Sequence, residues 1–236
     1  MTANTSSATL KPRLEVVSAS RPADPSGKAG HIAAELERRL ILGEYHFGEP
    51  LLVTDIARQF DASRQPVMAA IAHLRTSGFV EVFPQSGCRV VSPSKSEISD
   101  FFVALGKLEA TAALLGSRRY EGDEADSLIE VASAQDPEAL NTIQARQSYI
   151  DGIFAFHDRL WEIARSPALQ LRVVGLRRLA TFYLWQGLAR MQPPSAHLLI
   201  MERVDIAAAI KARDSVRAEI LMEKHVSHKP HVVGVV

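Results

Sequence analysis

Residues 51–91, LLVTDIARQFDASRQPVMAAIAHLRTSGFVEVFPQSGCRVV, decide how the rest of the chain is read. Residues 53–60 form a short helical piece, and Asp61-Ala62 makes a tight turn. Ser63 suits an N-cap position, and Pro66 falls in the first turn of the next helix, where its missing N–H costs little. Val67, Ala70, Ile71 and Leu74 then recur at i, i+3, i+4 and i+7, the inward stripe of an amphipathic helix. Arg64, Gln65, Met68, Ala69, Ala72 and Arg75 fall on the other face. Gly78 ends that helix, and FVEVF alternates as a strand into Gln85-Ser86-Gly87, a hairpin tip. Helix, turn, helix and hairpin in that order predict a winged helix-turn-helix, a unit that reads DNA.

Working outward, HIAAELERRLIL over 31–42 places Ile32, Leu36 and Leu40 on one face of a helix ended by Gly43. Residues 1–27 are rich in Ser, Thr, Ala and Pro without periodicity and read as a flexible tail. Ser92-Pro93-Ser94 breaks the pattern, so residues 28–94 are expected to form the DNA-binding domain. Beyond it no strand alternation returns. A helix capped by Ser96 runs to about Arg119, and Gly122 marks a break. A shorter acidic helix follows over 123–134, then a weak stretch around Pro137. Residues 147–164 are strongly amphipathic, with Ile150, Phe154, His157 and Trp161 at helical spacing. Residues 169–191 make another helix stopped by Pro193-Pro194, and 197–213 and 214–227 form a final pair. The expectation is a mainly α chain: a winged helix-turn-helix with a small β-hairpin, then an all-α antiparallel bundle over 95–228. Residues 229–236 are expected to be a flexible C-terminus, because Pro230 ends the last helix.

Composition bounds the function without naming it. Apolar residues make up 47 % of the 236, enough for a substantial core. No apolar run approaches the ~18 residues of a membrane span. The N-terminal residues lack a signal-peptide core, and a single cysteine, Cys88, fits a reducing compartment, so a cytoplasmic location is expected. Lys plus Arg and Asp plus Glu are 27 each, so overall charge does not announce nucleic acid. Locally, no acidic residue falls between Asp61 and Glu81, while Arg64, His73 and Arg75 do. Such a surface binds DNA with moderate affinity that falls with salt.

These residues resemble the GntR family of bacterial transcription regulators, and specifically the FadR branch with its FCD-type all-helical effector domain. The resemblance covers residues 29–228. It rests on Leu40 to Gly43, Gly48-Glu49 with Leu51, Ile56-Ala57, Ser63-Arg64-x-Pro66-Val67, Leu74, Gly78, and Gly87 with Val90. In the second half it rests on Leu108-Glu109, Phe156-His157, residues 209–214 and His225. The resemblance implies a dimeric, ligand-responsive regulator, most simply a repressor, on an inverted-repeat operator. It also implies that Ser63 and Arg64 open the recognition helix, with Gln65 beside them and Gln85, Ser86 and Gly87 at the wing tip. Arg64 is the first choice for a base contact, since a guanidinium can bond guanine O6 and N7 together. Arginines common in the family are Thr54 and Met68 here, so apolar contacts to thymine methyls are expected to replace charged ones, with Arg75 also on the exposed face.

The helical half departs further. Metal-binding members present an Asp and three His. Here the Asp position is Ile153, the first His of the final pair is Arg203, and His157 and His225 remain. Two of four ligand positions are thus substituted, and no metal cofactor is expected. Arg203 would take the place of the cation and grip a carboxylate or phosphate, a carboxylate being the first choice, with His157 and His225 as hydrogen-bond partners. An arginine frequent in the first long helix is replaced by Leu105. These changes point to an effector unlike small hydroxy acids, larger or more apolar, walled by Tyr149, Phe154 and Trp161.

An enzyme is the rival class. GxSxG, HExxH, P-loop and GxGxxG patterns are absent. The cluster His225-x-x-His228-x-x-His231 leaves a metal-dependent hydrolytic site with His157 as the alternative. Arg89 beside Cys88 would favour its thiolate, making redox control of the wing the second choice to a plain strand cysteine.

Overall fold

Residues 27–84, 86–135, 140 and 142–236 are described by the computed structural model. Among them the chain runs α1 (Gly27–Ile41), β1 (Pro50–Leu51), α2 (Val53–Gln59), α3 (Arg64–Thr76), β2 (Val80–Phe83) and β3 (Gly87–Val90). Six more helices follow: α4 (Lys95–Arg119), α5 (Glu124–Ser133), α6 (Ile143–Ala164), α7 (Pro167–Leu188), α8 (Pro193–Lys211) and α9 (Ser215–Val233). This is the mainly α architecture that the patterning predicts, a winged helix followed by a helical bundle. The expected N-terminal tail lies outside the described residues, apart from Gly27 at the start of α1. Most of the weak stretch around Pro137 does too.

The inward stripe organises the first unit. Val67, Ala70, Ile71 and Leu74 are fully buried in one core with Ile32, Leu36 and Leu40 of α1. Burial of side chains of this kind contributes roughly 1.5–3 kcal/mol each for the larger ones. The strands pair antiparallel in the order β1-β3-β2, with Leu51 opposite Cys88 and Phe83 opposite Gly87. The wing tip therefore lies between Phe83 and Gly87. Gly87 has φ 94, a conformation that strains any residue with a Cβ, which is why the tip ends on glycine.

In the bundle α4 packs along α9 and also against α6, while α8 packs on α5 and α9. Three local expectations are corrected, and a fourth, Ser63 as N-cap, holds in position only. Ser94 rather than Ser96 caps α4: its hydroxyl accepts from the Glu97 N–H, and Glu97 accepts from the Ser94 N–H. Ser63 holds the N-cap position of α3 but its side chain makes no capping bond. Pro193 begins α8 instead of only stopping the helix before it, because a proline costs nothing at a helix's first position. The C-terminus is not a frayed tail over its whole length: α9 passes through Pro230 to Val233. An internal proline costs ~3 kcal/mol. Burial offsets this, since Lys229, Pro230 and Val233 are all buried and Val233 sits against Gly187 of α7.

Helix α7 joins the two units. Phe182 meets Phe47 and Phe79, with ring centroids 5.2 and 5.5 Å away, and Leu179 sits against Gly78. Arg178 Nε pairs with Glu37 Oε1 of α1 at 2.7 Å in a nearly buried setting. Trp185 lies so close to Gly43 that a Cβ there would be 1.5 Å from the indole nitrogen, and Gly43 has φ 72 besides. Glycine is required at that turn on both counts.

Candidate functional site

Two surfaces carry the chemistry. The first is the outer face of α3. Burying its apolar stripe forces the complementary side outward, so Arg64, Gln65, Met68, Ala69, Ala72 and Arg75 are all exposed. Thr54 of α2, Ser63, Ser86 and Gly87 are exposed as well, while Gln85 lies outside the described residues. Arg58, in the last turn of α2, is exposed and paired with Asp55 at 2.9 Å. Arg89 stacks on the Phe83 ring, 4.4 Å from its centroid, and pairs with Glu81. It is therefore turned to the wing surface and not to the Cys88 thiol. Cys88 is buried, its Sγ 3.1 Å from the Leu51 carbonyl, and burial pushes its thiol up. The thiolate suggested by its neighbour is disfavoured, and the plain strand cysteine stands.

The second surface is inside the bundle. Glu109 of α4 is almost wholly buried and receives His157 Nδ1 at 3.1 Å and Trp161 Nε1 at 2.9 Å on one oxygen. Arg177 Nε of α7 lies 3.7 Å from the other. Burial alone would push the Glu109 carboxyl up, but His157, Arg177 and Trp161 together hold it below the usual range. Burial lowers His157 despite Glu109 beside it, and its Nδ1 faces the Glu109 carboxyl. Arg177 Nη2 also donates to Asp158 at 2.6 Å.

Arg203 of α8 is 1 % exposed, its guanidinium 5.8 Å from the Tyr149 ring centroid and 6.0 Å from that of Phe156. Nη2 donates to Gln135, whereas Nε and Nη1 have no partner. Burial pulls the Arg203 pKa down, and Arg177 Nη1 and His225 Nε2 are likewise buried without partners. The His157 and His225 rings stack with centroids 6.5 Å apart. Burial, then Lys229, His157, Arg203 and His228, push His225 well below its ordinary value. Lys229 of α9, 4 % exposed, is pulled down to about 7, mainly by burial and then by Arg203.

Two adjoining cavities open here, sharing Ile153, Thr181, Leu184 and Lys229. One, with about 30 Å³ of free space, is lined by Leu105, Phe154, Glu109, His157 and Arg177 among others. The other, about 10 Å³, reaches Tyr149 and Leu199. A water needs ~10–15 Å³ of such space, so a ligand enters by displacing side chains. That volume does not favour the larger effector expected from the sequence.

The structure places Tyr149, Ile153, His157, Arg203 and His225 near one another, in unequal positions. Trp161 is no wall: it is spent on Glu109. Arg203 and His225 sit buried next to the cavities without lining them, and Gln135 occupies part of the grip expected of Arg203. The cation position implied by the family resemblance does not fit this chain, because Ile153 offers no ligand atom and Arg203 puts a guanidinium in the set. Glu109, Arg177 and Lys229 were not assigned to this site from the sequence. Arg177 supplies from α7 the guanidinium that Leu105 lacks on α4. Lys229, four residues after His225, was readable as sharing its helix face once the helix was known to continue past Pro230.

Residues 28–90 match the family described as "Bacterial regulatory proteins, gntR family", and residues 100–228 match the FCD domain. The HTH-type transcriptional repressor GlaR of Escherichia coli (strain K12) is 27 % identical over 202 residues, covering 80 % of this chain and 88 % of that protein. The HTH-type transcriptional repressor RspR of the same organism is 22 % identical over 182 residues, covering 75 % and 76 %. Among solved structures, E. coli McbR/YncC superposes with a TM-score of 0.66 at 17 % identity, over 89 % of this chain and 98 % of that one. A putative GntR transcriptional regulator from Rhodococcus sp. RHA1 gives 0.67 at 17 %, over 88 % and 98 %. At that identity these two speak to the fold alone.

Proposed function

Because this chain belongs to the GntR family of bacterial regulatory proteins and carries an FCD domain, we propose that it is a cytoplasmic repressor whose DNA affinity is set by a small acidic metabolite bound in the bundle. The family consists of transcription regulators, which displaces the hydrolytic alternative. Among the described residues no helix is long and apolar enough to cross a membrane.

On DNA, Arg64 reads a guanine edge, Gln65 and Arg75 add polar contacts, and Met68, Ala69 and Ala72 meet thymine methyls. Thr54, Ser63 and the wing residues Gln85, Ser86 and Gly87 hold phosphates and set the register. The bundle pairs two chains so that two recognition helices meet the half-sites of an inverted repeat. Two relatives named as repressors support the sign of regulation.

For the effector, one observation carries the reading: Arg203 Nε and Nη1 and Arg177 Nη1 are buried N–H groups without acceptors. A buried unsatisfied donor costs roughly 1–3 kcal/mol, and a carboxylate entering beside Lys229 would satisfy such groups directly. No metal mediates at the position of Ile153, His157, Arg203 and His225. Coupling to DNA follows α7, whose Arg177, Ala180, Thr181 and Leu184 line the cavity while Arg178, Leu179 and Phe182 contact the DNA-binding unit. A ligand that moves Arg177 moves the neighbour that grips Glu37, and so biases the spacing of the recognition helices.

A panel of small mono- and dicarboxylates, read by melting temperature and by operator anisotropy, tests this. The expected hit raises the melting temperature and weakens operator binding, and Arg203→Ala removes both responses. A panel with no hit, or an Arg203→Ala variant with full response, overturns the effector reading.

A further inference from the structure

Glu202 of α8 is hydrogen-bonded to two histidines of α9 at once. Its Oε2 lies 2.8 Å from His225 Nδ1 and 2.9 Å from His228 Nε2. All three donor atoms fall within 4.8 Å of one another. We propose that Glu202, His225 and His228 bind a divalent transition-metal ion of the zinc class at the seam between α8 and α9. The site is separate from the effector reading and stands or falls without it. It also differs from the cation position that Ile153 and Arg203 have lost, sharing only His225 with it.

The donor chemistry fits. One carboxylate and two imidazoles are an ordinary zinc set, and imidazole suits zinc, copper and nickel where it does not suit magnesium or calcium. His225 and His228 stand one helical turn apart on the same face, so the backbone of α9 presents both rings with no loop to order. Zinc holds such donors at ~2.0–2.2 Å, which separates donors of a tetrahedral set by ~3.3 Å. Glu202 therefore has to draw back from each ring by roughly half an ångström, and the two ring nitrogens, within 4.8 Å of each other, have to settle at a like separation. Access is provided by His228 and Glu202, whose side chains are 27 % and 17 % exposed, while His225 is buried at 1 %. That leaves the outer coordination positions to water, and His231 is exposed beyond the cluster.

Binding requires a change of tautomer at His225. In the metal-free protein its Nδ1–H donates to Glu202; with an ion on Nδ1 the proton moves to Nε2, which has no partner now. Arg203 and Lys229 raise the positive potential around His225, so affinity near ~1 µM is expected, weaker than a closed structural zinc site reaches. The bound ion would tie α8 to α9 immediately beside Arg203 and fix its height along the bundle.

The test is a Zn²⁺ titration of the chelator-stripped full chain against a competing chromophoric chelator. One Zn²⁺ per chain is expected, with Glu202→Gln and His228→Ala each weakening binding ~30-fold or more, and His157→Gln changing it less than about threefold. Melting temperature in chelator checks that each variant folds. If His228→Ala did not fold, Glu202→Gln carries the comparison. The proposal is overturned by the absence of a site tighter than ~100 µM. It is equally overturned if both variants at the seam keep parental affinity, or if His157→Gln costs as much as His228→Ala.

Discussion

On the outer face of α3, two arginines stand among Gln65, Met68, Ala69 and Ala72, all exposed to solvent; at the centre of the bundle, Glu109, Arg177, Arg203, Lys229 and two histidines are closed away from it. Charge is thin where DNA would be met and dense where water is scarce. A surface arginine keeps its hydration and adds its energy when a base or phosphate arrives. A buried one has lost hydration on folding and depends on its neighbours at all times. The two regions should therefore fail in different ways: the surface through binding with stability intact, the centre through stability first.

The largest effect expected is at Glu109. Glu109→Ala leaves His157 and Trp161 without their shared acceptor and Arg177 without its most buried counter-charge, a loss of about 3–5 kcal/mol, or a melting temperature lower by about 10 °C or more. A drop below about 2 °C would mean the buried charges do not depend on one another. Next is Arg64→Ala, which should weaken operator binding by ~1–3 kcal/mol, or roughly 5- to 150-fold, with the melting temperature unchanged. Equal loss on operators altered at every position would make Arg64 a phosphate contact and not a reader of bases.

Lys229→Met sharpens the contrast through pH. The folded-state pKa of Lys229, about 7, lies below its ordinary 10.5, so between those values the unfolded chain binds more protons and stability rises with pH. The penalty of the buried charge is fully present below pH 7 and gone above 10.5. The variant should therefore melt ~5 °C higher than the parent at pH 6, with the gain fading through pH 8 and vanishing near pH 10. A gain independent of pH would assign the effect to packing. The smallest effect is at Cys88: being buried with its thiol raised, it should react with alkylating reagents far more slowly in the native chain than in denaturant, and mild oxidation should leave operator binding unchanged. Rapid labelling of the native chain would contradict its burial.

The outer face of α3 was legible because it lies on a surface. Val67, Ala70, Ile71 and Leu74 fix one face by periodicity, and whatever remains must point outward. The centre of the bundle was legible only in part. His157, Arg203 and His225 come from three helices, and the resemblance named them, but no periodicity says that Gln135 already holds Arg203 or that Trp161 turns to Glu109. Those are choices of rotamer and long-range packing. The end of α9 was misread for a related reason: Pro230 is locally a helix breaker, and only the burial of Lys229 and Val233 against other helices outweighs it. Arg177 was hidden in a helix that reads as apolar, where a second arginine, Arg178, faces the other way toward Glu37.

The placement of the chain's two tryptophans has a spectroscopic consequence. Trp161 donates to Glu109 inside the charged centre, and Trp185 lies against Gly43 at the joint, with the Arg146 guanidinium 5.5 Å from its ring centroid. Each indole thus sits at one end of the route by which α7 would transmit a signal. Excited at the same wavelength, a Trp161→Phe chain emits from the joint and a Trp185→Phe chain from the centre. Their emission, followed in time after mixing, orders the two events without any added dye.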